Sequence, residues 1–195
     1  MDVPRRDLRL EAIQDILQGN IWVHSHCYRG DEILRLMAVA EDFGIRIATF
    51  QHVLEGYRVA PEMYAHGAAG STFSDWWSYK KEAYDAIPHN AAMMADAGIV
   101  TSLNSDDAEL MRRMTSEAGK TLRFGGLDAA EALRLVTINP AIQLGLEKRI
   151  GSIEVGKDGD FAVFTRHPLD THARNVLTLI EGGEWFREPG LAIDG

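Results

Sequence analysis

Apolar and polar positions along this chain follow two periods. Leu10, Ile13 and Leu17 recur at helical spacing over 7–18, and Gly19 follows as a stop. Ile21 to Val23 is a short apolar run that predicts a strand. Asp31 is placed to cap a second helix whose Ile33, Leu36, Met37 and Ala40 share one face and which Gly44 ends. Ile45 to Phe50 predicts a second strand. Residues 55–66 read as helical, with Val59, Met63 and Tyr64 inward. Gly67, Gly70, Ser71 and Thr72 suggest a turn, with a short strand near Thr72-Phe73. A helix is predicted over 88–97, opening near Pro88 and stopping at Gly98; strand 99–103 and helix 107–118 follow. Asp128 and Glu131 have the spacing of a capping box that opens a helix over 129–137. Asn139-Pro140 breaks that helix and restarts a short one.

Near-continuous apolar strands alternating with helices predict an α/β fold, a parallel sheet with helices packed on it. After Gly151 the texture changes. Ser152 to Val155, Asp160 to Thr165 and Val176 to Ile180 read as short strands joined by the turns Gly156-Lys157-Asp158-Gly159 and Gly182-Gly183. A boundary near residue 150 therefore divides a β/α region, 1–150, from a small β region, 151–195.

The strand ends carry the chemistry. Three apolar runs finish in a metal-binding residue type: Ile21-Trp22-Val23-His24, Ile45 through Gln51-His52, and Ile99 through Ser105-Asp106. A β/α barrel builds its site from the C-terminal ends of its strands. Two neutral imidazoles and a carboxylate suit a zinc-type hydrolytic centre. His24, His52 and Asp106 are therefore the candidate ligands, and Asp106 is also the candidate proton carrier. Its neighbour Asp107 reads as a helix cap. His26, Tyr28 and Arg29, just past His24, are candidate substrate contacts, with Arg29 a possible fork for a carboxylate. Trp76 and Trp77, with Tyr79, are candidate pocket walls. His66 and His89 fall in helices and read as structural, and His167 and His172 lie away from the set.

Composition narrows the picture slightly. The chain has 195 residues, 46% of them hydrophobic, enough for one sizeable core. A net charge of -9 with no basic stripe argues against a nucleic-acid partner. The single cysteine, Cys27, excludes an internal disulfide and reads as a small, partly buried residue rather than a nucleophile. No apolar run is long enough for a membrane span, and Met-Asp-Val-Pro-Arg-Arg at the start has no signal-peptide core, so the compartment stays open.

These residues resemble the metal-dependent amidohydrolase superfamily, most closely its imidazolonepropionase-like and prolidase-like members. Val23-His24-Ser25-His26 resembles the fifth barrel strand of that family, Phe50-Gln51-His52 the sixth, and Ser105-Asp106 the end of the eighth. Leu135 to Ala141 resembles the helix that follows. Gly151 to Asp160 resembles the return into a β-sandwich. The resemblance implies the C-terminal part of a TIM-like (β/α)8 barrel, strands five to eight, followed by part of a small sandwich. It also implies one or two Zn2+ or other divalent ions in an intact enzyme, and hydrolysis of a C–N bond in a small amide: a dipeptide, a cyclic amide or an acylated amino acid. The family's first-strand His-x-His pair and its fourth-strand bridging Lys or Glu have no counterpart here. The expected partners are therefore a small-molecule substrate and either a second copy or a missing N-terminal half.

Two rival readings remain at this point. Ser102 to Asp107 also resembles the eighth strand of adenosine deaminases, although no counterpart of their His-Ala-Gly-Glu segment is present. Alternatively, a truncated barrel with open edges serves as a non-catalytic scaffold.

Overall fold

A computed structural model describes residues 5–191. The first four residues of the N-terminal run and the last four of the predicted β region lie outside the described residues. The elements run α1 (Leu8–Leu17), β1 (Val23–His26), α2 (Gly30–Asp42), β2 (Ile47–Gln51), α3 (Ala60–His66), β3 (Ala69–Thr72), α4 (Asn90–Asp96), β4 (Thr101–Leu103), α5 (Met114–Phe124), α6 (Ala129–Arg134), α7 (Ile138–Gln143), then β5 (Phe161–Phe164), β6 (Asn175–Ile180) and β7 (Gly183–Arg187).

β1 to β4 form one sheet in sequence order, every neighbouring pair parallel. The helix-covered face carries Phe50, Gly70, Thr72 and Leu103. Ile33 and Met37 of α2, Met63 of α3 and Met94 of α4 pack with Phe50, and Ala91, Ala92 and Ala118 pack with Leu103. A register shift skips Ala48 opposite β1, so Ile47 and Phe50, three residues apart, both enter this core. The opposite face is polar: His24 is level with Thr49, His26 with Gln51, and Ser71 with Ser102. β5, β6 and β7 form a separate antiparallel sheet. Packing crosses the predicted boundary at residue 150, because Leu169 is buried with Ala118 of α5.

Several expectations are corrected. Leu10, Ile13 and Leu17 of α1 are exposed, since no layer among the described residues covers them. Asp31 does not cap α2. It turns to Arg29, while the Gly30 N–H donates to Glu55 Oε2 at 2.9 Å, so a distant carboxylate performs the capping. Tyr64 points outward and covers Gly98, where a Cβ would stand 2.9 Å from its ring. Gly70, Ser71 and Thr72 form β3 rather than a turn. Gly70 is required there because Met94, Val53 and Met63 crowd the space a side chain would fill. The helix expected over 107–118 begins as a 3-10 turn, Leu110–Arg113, and α5 then runs to Phe124. Residues 152–155 form no strand. β7 went unread because it is exposed along its length and its adjacent Trp185 and Phe186, flanked by Glu184 and Arg187, do not alternate with polar residues.

Local signals that needed no partner hold. Asp107 Oδ1 accepts from the Glu109 and Leu110 N–H groups, as expected of a cap. Asp128 and Glu131 form the reciprocal capping box at 2.8 Å each way. Replacing Asp128 by Ala is expected to cost about 1 kcal/mol, read as a lowered urea midpoint with an unchanged slope. His66 is structural, as expected: its Nε2 accepts from Ile47 N–H at 3.0 Å and its Nδ1 donates to Glu41 at 2.7 Å. No described helix is long and apolar enough to cross a membrane.

Candidate functional site

The four strands run parallel, so the residues at their C-terminal ends leave the same edge of the sheet, and His26 and His52 touch there. Alternation along β1 puts His24 and His26 on the polar face and Ser25 on the other. His52 leaves β2 with φ 43°, and Asp106 follows β4 with φ 45°. Neither is glycine, so each occupies a sparsely populated backbone conformation that the surrounding structure must hold. The two turns stand at equivalent strand ends and carry the two residues singled out for chemistry.

His26 Nδ1 and His52 Nε2 are 2.7 Å apart, so one ring donates and the other accepts. His52 is buried, its ring stacked on Tyr28 with centroids 4.0 Å apart. Burial, and then the neighbouring His26, push its pKa below the ordinary histidine value, and the Asp106 carboxylate offsets this only in part. His52 is thereby kept neutral, the form that ligates metals. Its Nδ1 is buried without a hydrogen-bond partner. His24 Nδ1 accepts from the Gln51 side-chain amide at 3.2 Å.

The loop after β3 closes one side. Phe73 stacks on Trp76 at 4.3 Å, and Trp76 meets Tyr79 edge-on at 5.5 Å. With Leu54, Ala83 and Tyr28 these rings form a small apolar cluster beside His52. Trp77 is about half exposed and lies outside the stack. The loop is anchored from behind. Ser74 donates to the buried Glu117 carboxylate, and Lys120 bridges Glu117 and Asp75 at 2.8 Å each. Arg29 spends its guanidinium on Asp31 in a two-pronged pair, 2.9 and 3.2 Å. Cys27 is buried, and burial raises its thiol pKa, so it stays protonated at neutral pH.

Sequence reading missed Gln51, Lys80, Asn104 and the Ser74–Glu117–Lys120 anchor. Asn104 donates to Ser71 Oγ at 2.9 Å and fixes the segment before Asp106. Gln51 and Asn104 lay inside the strand-end segments already noticed and Lys80 closed the aromatic run from Trp76, but no periodicity gave any of them a partner.

Donors of the kind a divalent ion takes are therefore present: two strand-end imidazoles, one of them with its Nδ1 unpartnered, and a strand-end carboxylate. Among the described residues no three His, Cys, Asp or Glu side chains are gathered closely enough to hold an ion by themselves. The donor chemistry fits a metal, and the set is incomplete. Two cavities of about 320 and 360 Å3, lined by Trp22, Arg46 and Ala48, open at the N-terminal ends of the strands, away from these residues. In β/α barrels that end serves stability and the other end chemistry.

Residues 7–186 match the model of the amidohydrolase family. Amidohydrolase tasK of Hapsidospora irregularis is 32% identical over 189 residues, covering 94% of this chain and 19% of tasK. An imidazolonepropionase of Thermoplasma acidophilum is 35% identical over 88 residues, 44% of this chain and 21% of that protein. An amidohydrolase from Thermotoga maritima superposes with a TM-score of 0.88 at 30% identity, covering 96% of this chain and 49% of its own. The chain thus spans about a fifth of the length of these curated relatives and about half of that solved structure.

Proposed function

Since this chain belongs to the amidohydrolase family, we propose that it carries the C-terminal part of a centre that hydrolyses a C–N bond in a small amide. The observation that carries this reading is the delivery of His24, His26, His52 and Asp106 to the C-terminal ends of parallel strands, where His26 meets His52 and where His52 and Asp106 both take left-handed backbone conformations. In this reading β1 to β4 are strands five to eight of a (β/α)8 barrel, and β5 to β7 are part of a sandwich that begins near residue 151.

His24, His52 and Asp106 would supply part of the ligand set for a zinc or other divalent ion. Such an ion, when bound, acidifies water and polarises a carbonyl. The remaining ligands would come from outside the described residues. β1 and β4 are the edge strands; on β4 the Leu103 N–H already donates to Leu135 O at 2.9 Å and Thr101 O accepts from Asn139 Nδ2 at 2.7 Å. We place there either the other half of a barrel or a second copy of this chain.

The residues of this chain have separable tasks. Gln51 orients His24 through Nδ1; for His24 to ligate through Nε2, the Gln51 amide must turn over and present its oxygen. Tyr28 packs flat on His52 and fixes that ring. Asp106, exposed at its strand end, takes a proton from the attacking water and passes it to the leaving nitrogen. Trp76, on the Phe73 stack, walls the site and excludes water. Trp77 and Arg29 contribute less, the first because it faces outward and the second because Asp31 already occupies it.

Zinc binding tests the reading. Equilibrium dialysis of the purified chain is expected to show zinc retained by the native protein and lost from the His24→Ala, His52→Ala double variant. Equal retention by both would remove these histidines from the metal site. Release of ammonia from nucleosides, with dipeptides left intact, would replace the amide reading by the deaminase one.

A further inference from the structure

Lys80 is a cation held against the aromatic wall beside His52. Its Nζ stands 3.8 Å from the centroid of the Tyr28 ring and 5.4 Å from that of Tyr79. Tyr28 is the same ring that stacks on His52 at 4.0 Å. Among the described residues Lys80 makes no ion pair. Three other cations near this end are paired: Arg29 with Asp31, Arg58 with Glu55 and Asp85, Lys120 with Asp75 and Glu117.

The placement is built. Ser78 takes φ 57° and turns the loop back, and its N–H donates to Ala83 O at 2.9 Å. Lys80 then opens the 3-10 turn Lys81–Ala83, its own carbonyl accepting from Ala83 N–H at 3.0 Å. Ala83 is buried in the aromatic cluster, so the backbone of Lys80 is tied to the wall of the site. An ammonium has three donors, and the face of a tyrosine occupies one direction only. The remaining N–H groups stay open to an anion.

We propose that Lys80 is the anchor for a carboxylate on the substrate, which makes the substrate class an acylated amino acid or dipeptide rather than a neutral amide. The inference rests on the amide-hydrolysing reading of the strand ends. It moves the anion-binding role from Arg29, whose fork Asp31 fills, to a lysine thirty residues past β2. In an N-acyl amino acid the carboxylate carbon is two bonds from the scissile nitrogen. His52 and the Lys80 ammonium lie against opposite faces of the Tyr28 ring, 4.0 and 3.8 Å from its centroid, so such a molecule spans them by passing the edge of that ring.

The test uses N-acetylglycine and its neutral partner N-acetylglycinamide, titrated into the purified chain with zinc present and followed by NMR. The native protein is expected to bind the carboxylate roughly tenfold tighter than the carboxamide, a charge-assisted hydrogen bond's worth. Lys80→Met should abolish that preference and Lys80→Arg should keep it. Equal binding of the two probes by the native chain, binding of neither, or a preference that survives in Lys80→Met would each overturn the anchor. A separate hydrolysis assay on the same pair distinguishes the two ideas. A Lys80-dependent preference without hydrolysis sinks the amide-hydrolase reading and leaves the anchor standing. Hydrolysis with no charge preference does the reverse.

Discussion

Replacing Asn90 by Ala is expected to destabilise the protein by about 3 kcal/mol, the largest loss of stability from a single polar side chain here. Asn90 is 1% exposed at the start of α4. Its Oδ1 accepts from Tyr57 N–H at 2.8 Å, and its Nδ2 donates to Val53 O and Thr72 Oγ1, both at 2.9 Å. One side chain thus joins the segment after β2, the end of β3 and α4. Truncation strands the Tyr57 donor and the Val53 acceptor, and each abandoned buried group costs about 1–3 kcal/mol. Asn90→Asp keeps the acceptor toward Tyr57 but loses both donated bonds and buries a charge, so it should be at least as damaging. Urea unfolding checks this. A loss under 1 kcal/mol would mean that these three bonds do not join the segments.

Replacing Asp106 by Asn is expected to lower turnover of an acylated amino acid by about 10²- to 10⁴-fold, the usual worth of a positioned proton carrier. The substitution keeps the shape and removes the negative charge. It should not strain the chain, because asparagine tolerates the left-handed conformation that Asp106 adopts at φ 45°. Asp106 is also exposed, so the unfolding midpoint should move by less than about 0.5 kcal/mol. A large kinetic loss on an intact fold separates a chemical role from a structural one. Turnover within threefold of native would dismiss Asp106 as proton carrier, whatever its part in holding metal.

Much of the frame was readable one segment at a time. The apolar runs before His24, His52 and Asp106 predicted strands, though the observed strands begin two residues later at each. The caps at Asp107 and Asp128 were legible because a cap is a contact between residues two or three apart. Tyr64 was misread as inward because helical spacing marks a face without saying which neighbour meets it. Gly98, across the fold, decided that the tyrosine lies over bare backbone. Leu10, Ile13 and Leu17 do form the helix their spacing predicted, and that spacing could not say that no layer among the described residues covers them.

By itself the amino-acid sequence determined the alternation of strand and helix, the resemblance to amidohydrolases, and the delivery of His24, His52 and Asp106 to strand ends. All of these depend on period or on neighbours in the chain. Only the tertiary structure decided that Arg29 is consumed by Asp31, that Glu55 caps α2, that His26 meets His52, and that Lys80 is held over Tyr28. Most of these contacts join segments 25 or more residues apart. For Arg29, the choice between a near carboxylate and a substrate depends on which way the side chain turns. Local periodicity carries no term for either, because the free energy that settles them comes from burial and charge shared through space.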